Sequence, residues 1–317
     1  MIHIACNIDA HFTTHCAVTL VSLFENNKTS DICVHIIAPD LPDTDQEILQ
    51  DLAADYGNEV YFYFPPADLL SDFSIKKFGK RISMTTYYRC MLSVILPEQL
   101  EKVLYLDCDI VVLGDIMEFW ETDLSECGAA CIEDIGKDED ERYERLHYDK
   151  SYSYFNAGVL LINLSYWREH KVDRQCVHYF RTYPERILFN DQDLLNVVLY
   201  KDKVFVPLMW NMQDGFYRYG IEKKVPDWPM FRWLLLHPAI LHYTNKKPWN
   251  YDSMHPLNSE YYNYLDMTPW KGKRPRLSFK SRLQWYAKIF PYMLGLRKPK
   301  YVNLSDSMPY RTKGRLI

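Results

Sequence analysis

Lys102-Val103-Leu104-Tyr105-Leu106 is a nearly unbroken apolar run that stops at Asp107-Cys108-Asp109 and resumes as Ile110-Val111-Val112-Leu113. A strand that is apolar on both faces must be covered on both, which calls for helices on either side of a sheet. The flanking sequence supplies them. β-Rich runs at Ile2–Asp9, Ile32–Ala38 and Glu59–Phe64 alternate with helical spacing at Cys16–Asn26 and Asp43–Tyr56. Thr85–Leu96 also reads as a helix. Further strands are expected at Ala129–Ile132, Gly158–Asn163 and Lys203–Pro207, and a helix at Asp191–Tyr200. This alternation predicts an α/β fold around a mostly parallel central sheet.

The charge is divided along the chain. Lys271–Ile317 holds thirteen Lys or Arg against the single acid Asp306, a charge of +12, so the other residues carry −17 within a net −5. An acidic body with a basic tail argues for a boundary, placed so that 1–255 form the catalytic domain and 256–317 a helical or irregular extension. The tail mixes its bases with Phe279, Leu283, Trp285, Tyr286, Ile289, Phe290, Tyr292, Met293 and Leu294, which suits an anionic membrane surface. Packing on the body is the plainer reading of the same segment, and Pro291 is expected to interrupt any long helix there. Nucleic acid is not an expected partner, because the acidic body opposes it.

No window is long and apolar enough to span a membrane, and the first strand begins at Ile2 without a basic leader. A cytoplasmic location is expected, or a peripheral one on the inner face of the cytoplasmic membrane. The eight cysteines are scattered singly, with no Cys-x-x-Cys pair, and read as small core hydrophobes.

Asp107-x-Asp109 is the strongest chemical signal. Residues i and i+2 of a strand face the same way, so two carboxylates converge and repel each other unless a cation lies between them. Oxygen ligands favour Mn²⁺ or Mg²⁺. Strand-end aspartates also cap turns, so the pair alone leaves both readings open. Downstream, His242 follows Ile240-Leu241 and precedes Lys246-Lys247, an imidazole and two point charges suited to a metal and a diphosphate. A lone strand-end histidine is more often structural. In Asn190-Asp191-Gln192-Asp193, Asp191 suits a helix N-cap and Asp193 the helix dipole, which leaves a polar cluster only partly explained. Asn156 and Gly158 interrupt the apolar run Tyr154–Asn163, where a ligand can approach the backbone.

Together with Thr85-Thr86-Tyr87-Tyr88-Arg89 and His242-Tyr243-Thr244…Lys247-Pro248-Trp249, these motifs resemble glycosyltransferase family 8, over Ile4 to about Trp249. The resemblance implies a GT-A fold, a Rossmann-like transferase of nucleotide-diphospho-sugars. It further implies a divalent metal (usually Mn²⁺), a UDP-hexose donor, a saccharide or glycolipid acceptor, and retention of anomeric configuration. By the same resemblance Asp107, Asp109 and His242 are metal ligands, and Lys247 contacts the leaving phosphate. Arg89, Asn156, Asp191 and Gln192 hold the donor sugar, with Gln192 and Asp191 nearest the chemistry. Asp9 and Phe12 belong to the nucleotide grip, and Glu133, with Asp134 beside it, stands where the family has an acid. Three departures stand out. The family's Asp-Asp-Asn-Tyr is Asp9-Ala10-His11-Phe12, its glycine after His-Tyr-Thr is Asn245, and the loop to Lys247 is one residue shorter, which makes Lys246 a rival.

Two other functions compete. A non-catalytic relative that binds sugar nucleotides or carbohydrate fits the altered N-terminal motif. A metal-dependent nucleotidyltransferase would carry a glycine-rich basic loop after the first strand, and Asn7-Ile8-Asp9-Ala10-His11 has no glycine.

Overall fold

The β-branched runs pair as their patterning requires. The computed structural model describes residues 1–66, 68–73, 84–136, 139–275 and 279–304. In chain order the strands are β1 (Ile2–Asn7), β2 (Ile32–Ile37), β3 (Glu59–Tyr63), β4 (Lys102–Leu106), β5 (Ile110–Val112), β6 (Ala129–Glu133), β7 (Phe155–Asn163), β8 (Lys203–Phe205), β9 (Met212–Gln213) and β10 (Ile240–His242). Seven of them form one sheet in the order β3-β2-β1-β4-β7-β6-β8. Its pairings are parallel except on either side of β7, which runs antiparallel to both β4 and β6. The mostly parallel sheet expected from the sequence is therefore present, and β4 is buried on both faces at its centre.

A smaller sheet, β5-β10-β9, stands beside it. Helix Thr13–Asn26 is wedged between the two sheets, which explains why Cys16 through Phe24 are buried all round rather than along one stripe. Its polar side chains clamp β5. The Thr19 hydroxyl donates to the Ile110 carbonyl (2.9 Å), Ser22 Oγ accepts from Val112 N–H (2.9 Å), and Asn27 Oδ1 accepts from Ile116 N–H (2.8 Å). Such satisfied buried hydroxyls and amides fix the segment following Asp109 more rigidly than apolar packing alone would.

Three sequence expectations need correction. Thr85–Leu96 is a 3₁₀ helix over Met84–Met91 that passes into a short α-helix, Leu92–Ile95. Helix Asn190–Val198 has no side-chain N-cap, so the cap expected of Asp191 is not made, and Asp193 in its first turn instead ties down the preceding loop. This fully buried carboxylate accepts from the N–H groups of Leu188 (2.7 Å) and Phe189 (2.8 Å) and pairs with Arg145 (2.8 Å). Pro291 does not split its helix, Phe279–Met293, but lies two residues before its end, so it closes the helix rather than breaking it midway.

Two described parts of the chain beyond residue 255 pack on the body. Helix Asn258–Leu265 buries Tyr261 and Leu265 against helix Thr13–Asn26, where the Asn26 amide donates to Tyr264 (2.7 Å). Further on, Val302 N–H donates to the Tyr217 carbonyl (2.9 Å), and Tyr301 to Asp214 (2.8 Å). Residues 276–278 and 305–317 of the basic tail lie outside the described residues. Among the described residues no helix is long and apolar enough to cross a membrane. All eight cysteines are free and buried.

His255 is packed among Tyr217, Tyr243 and Tyr301, with ring centroids 4.6, 5.1 and 5.6 Å away. Burial, reinforced by the charge of Arg218, lowers its pKa from 6.5 to about 3. The unfolded chain therefore takes up this proton at a higher pH than the folded one. Stability is whole above pH 6.5 and falls as pH drops towards 3, by up to about 1.4 kcal/mol per unit from this residue. Replacing His255 with Phe is expected to flatten the pH dependence of urea unfolding by that slope; an unchanged slope would contradict the assignment.

Candidate active site

The turn between β4 and β5 carries Asp107 and Asp109, and strand pairing brings the distant histidine to them. β10 runs antiparallel to β5 with His242 opposite Ile110, and Tyr243 N–H donates to the Asp109 carbonyl (3.0 Å). His242 Nε2 thus lies 3.1 Å from Asp109 Oδ1 and 3.8 Å from Asp107 Oδ2. All three ligand atoms fall within 4.8 Å of one another. On the other side Asp107 N–H donates to the carbonyl of Gly158 on β7 (2.9 Å). A Cβ at Gly158 would meet His242 Cε1 at 2.2 Å and Asp107 Oδ2 at 2.6 Å, so the imidazole and carboxylate occupy the room that the missing side chain leaves.

Hydrogen bonding fixes which nitrogen of His242 faces the acids. The Gly158 backbone N–H can only donate, and it donates to Asn156 Oδ1 (3.0 Å). Asn211 therefore offers that same oxygen its Nδ2 (2.9 Å) and turns its own Oδ1 to His242 Nδ1 (2.9 Å). The proton sits on Nδ1, and the Nε2 lone pair points at Asp107 and Asp109. Buried Asp109 Oδ1 has no hydrogen-bond partner. Three electron-rich atoms in one place, one of them orphaned, fit a shared divalent cation with open positions. Sequence reasoning missed Asn211; its only trace was a polar residue closing the run Leu208-Met209-Trp210. Partners of this kind orient metal ligands, so Asn211→Ala is expected to weaken Mn²⁺ binding by about 10- to 100-fold with little change in fold, checked by calorimetric titration.

The charges around the trio are nearly balanced. Lys247 pairs with Asp109 and donates to the Tyr243 carbonyl (2.6 Å), whereas Lys246 turns outward to Asp252 (2.6 Å). The shortened loop therefore leaves Lys247 as the lysine at the site. Burial would raise the Asp109 carboxyl, but Lys247 and His242 together outweigh it and hold the group well below the usual carboxylate range. Buried Arg89 bridges Asp107 and Asp191, with 2.9 Å to the latter, and its guanidinium lies 4.3 Å over the Tyr105 ring. Burial raises the pKa of Asp191, and Arg89 opposes that. Among the described residues, Asp107, Asp109 and Asp191 are thus paired with Arg89 and Lys247, which leaves one negative charge over.

Gln192, in helix Asn190–Val198, lies beside this cluster. Its Oε1 accepts from Asn156 Nδ2 (3.2 Å) and Ala157 N–H (3.1 Å), and its Nε2 donates to Asp134 Oδ2 (3.4 Å). Of the two neighbouring acids, Asp134 joins this network and is anchored by Arg142 (2.9 Å). Glu133 accepts instead from the Ser153 hydroxyl (3.1 Å). Asp9 accepts from His11 N–H (2.9 Å) and caps the turn that presents Phe12. Phe12 stands at the rim, edge-on to His15 and Trp249, which stack on each other at 3.5 Å.

The family model for glycosyl transferase family 8 matches residues 3–253. The chain belongs to that family. General stress protein A of Bacillus subtilis is 25% identical over 85% of this chain and 95% of its own. Lipopolysaccharide 1,2-glucosyltransferase of Escherichia coli (strain K12) is 25% identical over 93% of this chain and 88% of its own. A crystal structure of galactosyltransferase LgtC in complex with donor and acceptor sugar analogs superposes with a TM-score of 0.73 at 22% identity, covering 89% of this chain and 100% of that one. That likeness shows the GT-A fold. In this family 8 glycosyltransferase the acidic couple, His242, Lys247 and Gln192 lie together at one end of the sheet.

Proposed function

We propose that this glycosyltransferase moves a hexose, galactose or glucose, from a UDP-sugar to a saccharide or glycolipid acceptor with retention of configuration. Lipopolysaccharide or another surface glycan is the product class that the relatives' names suggest. The observation that carries this reading is the convergence of Asp107, Asp109 and the lone pair of His242 beside Lys247 and Gln192.

Asp107, Asp109 and His242 would hold the cation, Mn²⁺ or else Mg²⁺. Bound there, such an ion supplies Lewis acidity to the departing diphosphate. Lys247 adds a fixed positive charge on the same side, where charge develops as the sugar–phosphate bond breaks. Phe12 offers its exposed face to the uracil ring, with Asp9 beside it, while Asn156 and Arg89 shape the sugar pocket. Glu133 lines the approach less directly than Asp134, given its turn towards Ser153.

Gln192 Oε1 is the oxygen that would stabilise positive charge at the anomeric carbon. It already accepts two N–H bonds, and an amide is a poor nucleophile. Asp191 is tied to Arg89 and Thr86, which disfavours a covalent route through it. The geometry therefore favours attack by the acceptor hydroxyl on the face that the phosphate leaves. The new carbon–oxygen bond forms as the old one breaks, and the hydroxyl proton passes to the leaving phosphate oxygen.

In the tail, Leu283, Tyr286, Phe290 and Leu294 are each more than half exposed, at spacings of three and four residues in and just past helix Phe279–Met293. With bases around them, this apolar stripe supports peripheral binding to an anionic membrane, where a lipid-linked acceptor would lie. Deleting 271–317 should abolish sedimentation with phosphatidylglycerol vesicles; retained binding would count against it.

A panel of UDP-galactose, UDP-glucose and UDP-N-acetyl sugars, with and without Mn²⁺ and read as UDP release, tests the main reading. Metal-dependent release from one hexose donor is expected. Tight donor binding without release from any of them would favour the non-catalytic binding module.

A further inference from the structure

A second ligand cluster lies at the opposite end of the sheet, at the start of β1 and β2. Register places His3 beside Cys33 and Ala5 beside His35, so the side chains at 3, 33 and 35 share one face of two parallel strands. His3 Nδ1 is 3.1 Å from His35 Nε2, and Cys33 Sγ is 3.6 Å from that same nitrogen. One nitrogen from each imidazole and the sulfur lie within 4.8 Å of one another.

We propose that His3, Cys33 and His35 form a second metal site, selective for a thiophilic divalent cation of the zinc class and distinct from the site at Asp107. Two imidazole nitrogens and a thiolate match the ligand set zinc prefers and suit Mn²⁺ and Mg²⁺ poorly, since those ions take oxygen. The two sites are thereby sorted by chemistry. The supporting partner that metal-bound histidines usually have is present: His35 Nδ1 bonds to the Tyr63 hydroxyl on β3 (2.9 Å), which leaves Nε2 facing His3 and Cys33. Cys33 and His35 are buried, so the rings and sulfur are held by packing, while His3 is partly open to solvent and gives an entry path. The fourth position falls to water or to Glu59, which stands opposite Cys33 on β3. An ion there would staple β1 to β2, far from the chemistry.

The test is titration of the chelator-stripped full-length protein with Co²⁺, a spectroscopic stand-in for zinc, read as the sulfur-to-cobalt charge-transfer band. The expected result is one equivalent of this band in the wild type and in Asp109→Ala, erased by one equivalent of Zn²⁺ and untouched by Mn²⁺. Cys33→Ala should lose the band, and His3→Ala, on a partly exposed strand start where folding is spared, should weaken Co²⁺ binding at least about ten-fold. Absence of the band from the wild type, or an undiminished band in either variant, would overturn the proposal. Glycosyl transfer is not the readout, so this outcome stands apart from the donor panel.

Discussion

Gly158→Ala should reduce kcat/KM with the UDP-hexose donor by about 100-fold or more, while the sheet still folds. A single methyl group is added, but it would arrive 2.2 Å from His242 Cε1 and 2.6 Å from Asp107 Oδ2. Neither neighbour can yield without cost. His242 is tied through Nδ1 to Asn211, and Asp107 through its other oxygen to Arg89 and Tyr105. Displacing two candidate ligands by about 1 Å is enough for a loss of that order. The stability cost should be about 1–3 kcal/mol, as for other overpacked positions. Thermal unfolding and Mn²⁺ titration on one preparation separate the two effects. A variant with wild-type turnover would mean that His242 and Asp107 do not need their present positions.

Arg89→Met is expected to be the most destabilising substitution at the site. The guanidinium is buried and bridges Asp107 and Asp191, which would both be left without their cation in a low-dielectric setting. Removing one partner of such a buried network costs about 3–5 kcal/mol. Lysine should not rescue it, because one ammonium cannot copy a planar fork that also lies over the Tyr105 ring. Urea unfolding of Arg89→Met and Arg89→Lys checks this. If both variants lose less than about 1 kcal/mol, comparable to an exposed pair, the buried bridge is not what stabilises Asp191 and Asp107.

The sheet was legible because its strands are short, β-branched and bounded by polar turns, so each announced itself locally. The acidic couple was legible for a related reason: the i, i+2 geometry of a strand fixes where Asp107 and Asp109 point. What local patterning could not provide was pairing across distance, and only the family resemblance joined His242 to the acids. That β10 lies against β5, with His242 beside Asp109, depends on a two-sheet arrangement with no local signature. Asn211 was invisible for the same reason, since it acts on a residue thirty-one positions away. The polar cluster at 190–193 was misapportioned because both acids suit a helix start. Only packing against Arg89 and Arg145 separates Asp191, facing the site, from Asp193, which holds the loop before the helix.

The central claim is that one divalent cation is shared by Asp107, Asp109 and His242. Calorimetric titration of chelator-stripped wild type and Asp109→Ala with Mn²⁺, in the presence of UDP, tests it most directly. The prediction is a single saturable site in the wild type and none in the variant, whose circular dichroism spectrum should match that of the parent. Equal Mn²⁺ affinity in the two proteins would contradict it.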